Sequence, residues 1–167
     1  MQQSIMEDRA AINGMIASNG VKELREVEIK SRFGLISVHP EKAISFPHGL
    51  PGMPGAVSFC LTDFPNDKHK QFQLLQCLNQ QNLSFIVVPS TEDNQLLDQS
   101  DVKDACSILG INGGDLLLLF IVTAHESAGG RRLSVNAKAP IFVDSATRTA
   151  TQYVFQNNNY EIQHYIS

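Results

Sequence analysis

Long hydrophobic runs are missing from this chain. No apolar stretch approaches the ~20 residues that cross a bilayer as a helix, so a helical membrane span is excluded. Cysteine is scarce. Cys60, Cys77 and Cys106 are odd in number and widely spaced, which points to reduced thiols in a cytoplasmic protein. Residues 1–20 carry no basic region followed by an apolar one, so no secretory signal is expected. Basic residues are also few, 13 Lys plus Arg against 17 Asp plus Glu, for a net charge of −4. Phosphate neutralisation drives most affinity for nucleic acid, so this balance predicts no direct nucleic-acid binding.

The signatures of common catalytic chemistry are absent too. His39, His48, His69, His125 and His164 do not stand at metal-ligand spacing with one another or with a cysteine. There is no P-loop, no G-x-G-x-x-G after a strand, no G-x-S-x-G and no H-E-x-x-H. No cofactor or metal is therefore expected, and no catalytic residue is assigned. Two classes stay open from the residues alone: a protein-binding module, or a small β-barrel enzyme or ligand carrier whose site assembles only in three dimensions.

What is present is a chain of 167 residues with an ordinary apolar share of 43%, enough for one domain with a sizeable core. Its organising stretch runs from Ile44 to Gly55, with three prolines and three glycines set around Phe46, Leu50 and Met53. Proline fixes φ near −65° and removes a donor, while glycine permits φ > 0. Such a run is neither a helix nor a central strand. It reads as a shaped, packed corner between two strands.

On either side the pattern is β. Val27 with Ile29, then Phe33 to Val38, read as two short strands joined at Ser31 to Gly34. Val57–Leu61, Gln71–Gln76, Leu83–Val88, Leu116–Thr123, Leu133–Lys138, Ile141–Val143 and Thr149–Phe155 read as further strands and Tyr160–Ile166 as a final strand or extended tail, with turns at Pro65–Lys68, Asn79–Asn82, Ala128–Gly130 and Asn157–Asn159. One helix interrupts them. Val102, Ala105, Cys106 and Leu109 form a single apolar stripe, with Ser100 as the expected N-cap and Gly110 placed for the C-terminal cap. Residues 1–25 read as an extension, weakly helical or disordered, ahead of a β domain over 26–167. The expected fold is mainly β: a small antiparallel barrel-like domain of about ten short strands with one or two short helices.

Several of these segments, in order, resemble one known family. Ser31-Arg32-Phe33-Gly34-Leu35-Ile36-Ser37-Val38, then Ile44-Ser45-Phe46-Pro47-His48-Gly49-Leu50-Pro51-Gly52, is similar to the amino-terminal signature of the FliW flagellar assembly factors. Leu83–Val88, Leu109-Gly110-Ile111, Leu119–Thr123, Ser134–Ile141, Arg148 with Gln152, and Tyr160 with His164 follow in the family's sequence. Met53 replaces the usual aromatic, Gln163 a basic residue, and the segment after Pro89 is acidic.

The resemblance implies a non-catalytic regulator with two protein partners, flagellin and the RNA-binding translational repressor CsrA. Released from flagellin, such a protein binds CsrA and antagonises it allosterically. Candidate partner-binding residues are His48, Leu50 and Met53 in the corner, Glu92, Asp93 and Asp98 in the acidic segment, and Asn136. For Leu50 core filling is the stronger reading, for Asn136 a β-bulge or turn hydrogen bond, and for the acidic segment a solvated face. An exposed strand edge offers a further route, by β-augmentation.

Overall fold

The computed structural model describes residues 24–65, 68 and 70–167. The expected extension over residues 1–25 lies almost wholly outside them, as do Asn66 and Asp67 of the Pro65–Lys68 turn.

Eleven strands and one α-helix are formed among the described residues. β1 (Val27–Ser31) and β2 (Gly34–Val38), the first two predicted strands, pair as a hairpin, with Ser31 opposite Gly34. The other strands are β3 (Ile44–Ser45), β4 (Ser58–Asp63), β5 (Gln73–Cys77), β6 (Ser84–Pro89), β7 (Leu116–Ser127), β8 (Gly130–Val135), β9 (Ile141–Asp144), β10 (Thr149–Gln152) and β11 (His164–Tyr165). Helix α1 spans Gln99–Leu109.

The pairings close on themselves. β7, β6, β5, β4, β3, β10 and β9 are neighbours in that order, and β9 pairs back onto β7 through Ile141–Asp144 and Leu116–Leu119. This is a seven-stranded barrel. Its thinnest seam is β3 against β10, where one parallel rung, Ser45 with Thr149, is joined by a bond from the Ser45 amide to the Arg148 carbonyl at 2.8 Å. β7 outruns the barrel. Its second half, Val122–Ser127, pairs with β8, and β8 carries β11 on its far side.

Period-two alternation divides the apolar side chains among three cores. In β4, β5, β6, β7 and β9 the odd positions point inward: Phe59, Leu75, Cys77, Val87, Leu119, Ile141 and Val143 meet Ile44 of β3, Ala150 of β10, Phe46 and Leu50. Even positions point outward and are covered twice. Leu74, with Cys60, sits under the β1–β2 hairpin beside Ile29, Ile36 and Val38. Val88, Leu118, Phe120 and Phe142 sit under α1 and the C-terminal segment, with Ala105, Cys106 and Phe155. A wall covered on both faces explains why β5, β6 and β7 read as nearly continuous apolar runs.

The structure corrects several sequence boundaries. The N-cap of α1 is Asp98, not Ser100; its carbonyl accepts the Val102 amide at 3.1 Å. The C-terminal cap is Gly110 as expected, left-handed at φ 71°. β10 stops at Gln152 rather than Phe155, because Tyr153 and Phe155 turn to pack on Phe142. The final strand shrinks to His164–Tyr165, because Tyr160 is drawn to α1. Strand β8 ends at Val135, where Asn136 starts a turn.

Candidate partner-binding surface

The Pro/Gly corner closes one end of the barrel. Phe46 is fully buried, Leu50 is 3% exposed, and the Phe46 ring lies 4.8 Å from that of Phe59 between centroids. Leu50 and Met53 exchange backbone bonds, Leu50 amide to Met53 carbonyl at 3.2 Å and the reverse at 2.8 Å. Pro51 and Gly52, the latter at φ 78°, occupy the central positions of that turn, the arrangement of a type II turn. Gly49 is left-handed at φ 64° and donates to the Phe46 carbonyl at 2.9 Å. Of the three candidates here, Leu50 fills the core, Met53 is half-buried against it, and His48 is exposed.

Asn136 acts in its own turn. Its Oδ1 accepts the Ala139 amide at 3.0 Å, and its backbone amide donates to Ile121 at 3.0 Å. The structure therefore gives it the turn-forming role and leaves it half-buried.

The acidic segment lies elsewhere, at the rim of a cleft. β6 follows β7 only to the rung between the Ser90 amide and the Leu118 carbonyl, 2.8 Å. The chain then bends away, and Asn94 fixes the bend. Its Nδ2 donates to the Pro89 carbonyl at 3.1 Å, and its Oδ1 accepts the Thr91 amide at 2.6 Å. Leu97, buried, ties the return into the core beneath α1. Between the departing segment and the start of β7 lies an opening of about 500 Å³, lined by residues that include Ser90, Glu92, Gln95, Val102, Leu116 and Leu118. Glu92, Asp93 and Asp98 are all exposed. From residue 90 to 118 there are six carboxylates, Glu92, Asp93, Asp98, Asp101, Asp104 and Asp115, against one cation, Lys103.

The far side of α1 is latched to the C-terminal segment. The Tyr160 hydroxyl donates to Asp101 Oδ2 and accepts the Asp98 amide at 3.0 Å. Burial, reinforced by the Asp101 hydrogen bond, pushes the phenol up to about 12. His48 thus lies at the barrel end, Glu92 lines the cleft, Asp93 is exposed next to it in the chain, and Asp98 gives its amide to the Tyr160 latch. Sequence reading missed Asn94, the open start of β7 and the Tyr160 latch. Pro89 was the one signal for the second, since it ends β6 five residues before Asn94.

The sequence model of one family, described as FliW protein, matches residues 28–166. The chain belongs to the FliW family. A flagellar assembly factor FliW from Syntrophotalea carbinolica is 30% identical over 139 residues, covering 81% of this chain and 94% of its own. One from Desulfitobacterium hafniense is 28% identical over 137 residues, covering 80% of this chain and 86% of its own. The crystal structure of a flagellar assembly factor FliW superposes with a TM-score of 0.64 at 25% identity, over 84% of this chain and 96% of that one. FliW is a family of assembly factors, not of enzymes, and the mainly β fold expected from the sequence is the FliW fold.

Proposed function

We propose that this FliW chain acts in the cytoplasm as an exchange regulator. It holds flagellin while the subunit is abundant. Once freed, it binds CsrA and, by allosteric coupling, makes it release RNA. The observation that carries this reading is family membership over residues 28–166. Two features of the molecule support it. The barrel is filled by its own side chains, Phe46, Phe59, Leu75, Leu119 and Ile141 among them, which argues against a ligand carrier. The net charge of −4 favours a protein partner over RNA and adds repulsion against RNA held by that partner.

The deciding experiment is a calorimetric titration of the full chain with the cognate flagellin and CsrA, then of flagellin into the preformed CsrA complex. The expected result is micromolar or tighter binding to each and displacement of CsrA by flagellin. Absence of binding to both overturns the proposal.

A further inference from the structure

β7 has a strand on one side only at its start. Leu116, Leu117 and Leu118 face Asp144, Val143 and Phe142 of β9. On the other side β6 reaches no further than Pro89, opposite Leu119, with the single Ser90–Leu118 bond beyond it. Backbone direction alternates along a strand. Asp115 gives its carbonyl to the Ser145 amide, toward β9, and Leu118 gives its carbonyl to the Ser90 amide, toward β6. Leu118 therefore aims its main-chain groups at the cleft side. Among the described residues its amide makes no return bond to the Ser90 carbonyl, because the chain has already turned at Thr91.

An open strand edge invites pairing with another chain. Here the edge is short and recessed, and it lies under a rim held rigid by the two Asn94 bonds. The rim also selects. Glu92 lines the opening with exposed Asp93 next to it in the chain, and among the described residues no Lys or Arg lines it. An extended segment entering there meets leucine side chains and a main-chain edge below, and negative charge above.

We propose that this cleft is a docking site for an extended, Lys/Arg-bearing segment of a protein partner, which adds a short strand to the open start of β7 while its cations face Glu92 and Asp93. The inference deepens the proposed function, since it assumes that the chain works by binding proteins. Main-chain pairing supplies attraction, and the acidic rim supplies charge selectivity and salt dependence.

The test uses the full chain, labelled for NMR, and a capped hexapeptide of alternating Val and Lys as probe. Expected are saturable shifts confined to Ser90–Gln95 and Leu116–Leu118, slowed exchange of the Leu118 amide, and a loss of about fivefold or more in affinity for Glu92→Lys with Asp93→Lys. A Val/Glu peptide should not bind. Shifts at another edge such as β1, indifference to the charge reversals, or self-association in place of peptide binding overturns the proposal. Competition by full-length CsrA or flagellin then assigns the natural segment. If neither full-length protein binds, the exchange reading fails while the peptide result still decides the cleft.

Discussion

Tyr160 and Asp101 stand 59 positions apart in sequence and share a hydrogen bond, with the phenol as donor. The same oxygen accepts the amide of Asp98, the residue that caps α1. One side chain therefore ties the C-terminal segment to the first turn of the helix, and the Phe155 ring, 4.9 Å away between centroids, packs beside it.

Tyr160→Phe removes this latch and should lower stability by about 1 kcal/mol, the usual net worth of such a bond. The folded phenol titrates at about 12, above its ordinary value of 10. A raised acid stabilises the fold fully below its unfolded pKa and loses that contribution as pH rises toward the folded one. The gap in melting temperature between wild type and variant should hold to about pH 9 and narrow between about pH 10 and 12. A constant gap through that window would remove the latch from the account.

Two glycines of the Pro/Gly corner should respond unequally. A Cβ on Gly49 would meet the Met53 carbonyl oxygen at 2.5 Å and Pro54 Cα and O at 2.7 Å, all backbone atoms that cannot swing aside. A Cβ on Gly52 meets nothing within 4 Å, so only its left-handed φ of 78° opposes a side chain. Gly52→Ala should cost about 1–2 kcal/mol by denaturant titration. Gly49→Ala should cost well beyond that, or leave the chain insoluble. Equal effects would contradict the corner's geometry.

The thiols of Cys60, Cys77 and Cys106 are all buried and free. Burial raises the Cys60 and Cys106 thiols, and nearby Glu41 adds to the rise at Cys60. Less thiolate and less access both slow attack. A disulfide reagent at pH 8 should label the native protein slowly and the urea-unfolded protein at all three positions at once. Rapid native labelling of Cys60 would show that the β1–β2 hairpin lifts from the barrel.

Charge reversal at Asp93 and Asp98 should weaken CsrA binding more than folding. Asp93 is exposed, and its reversal should leave stability within about 0.5 kcal/mol. Asp98 caps α1, so its reversal adds up to about 1 kcal/mol through the helix dipole. Calorimetry against CsrA beside a melting curve separates the two, and unchanged affinity would take the segment out of the interface.

Local rules carried much of this fold in advance. The β1–β2 hairpin, the Gly110 cap, the apolar stripe of α1 and the packed corner at Phe46 and Leu50 all depend on neighbours a few positions away. Turn chemistry and side-chain period speak for those directly. Even the family was legible, because its motifs are the turns and strand ends that backbone geometry constrains most tightly.

What the chain alone left open was decided at a distance. The ring closes because β9 returns to β7, and nothing local announces that pairing. Tyr160–Ile166 has the residues of a strand, yet Tyr160 is drawn to α1 and the strand itself is only His164–Tyr165. The cleft exists because β6 leaves β7 while β9 stays. Which carbonyls and amides are left over is a property of three strands together, so it appears only once they are assembled.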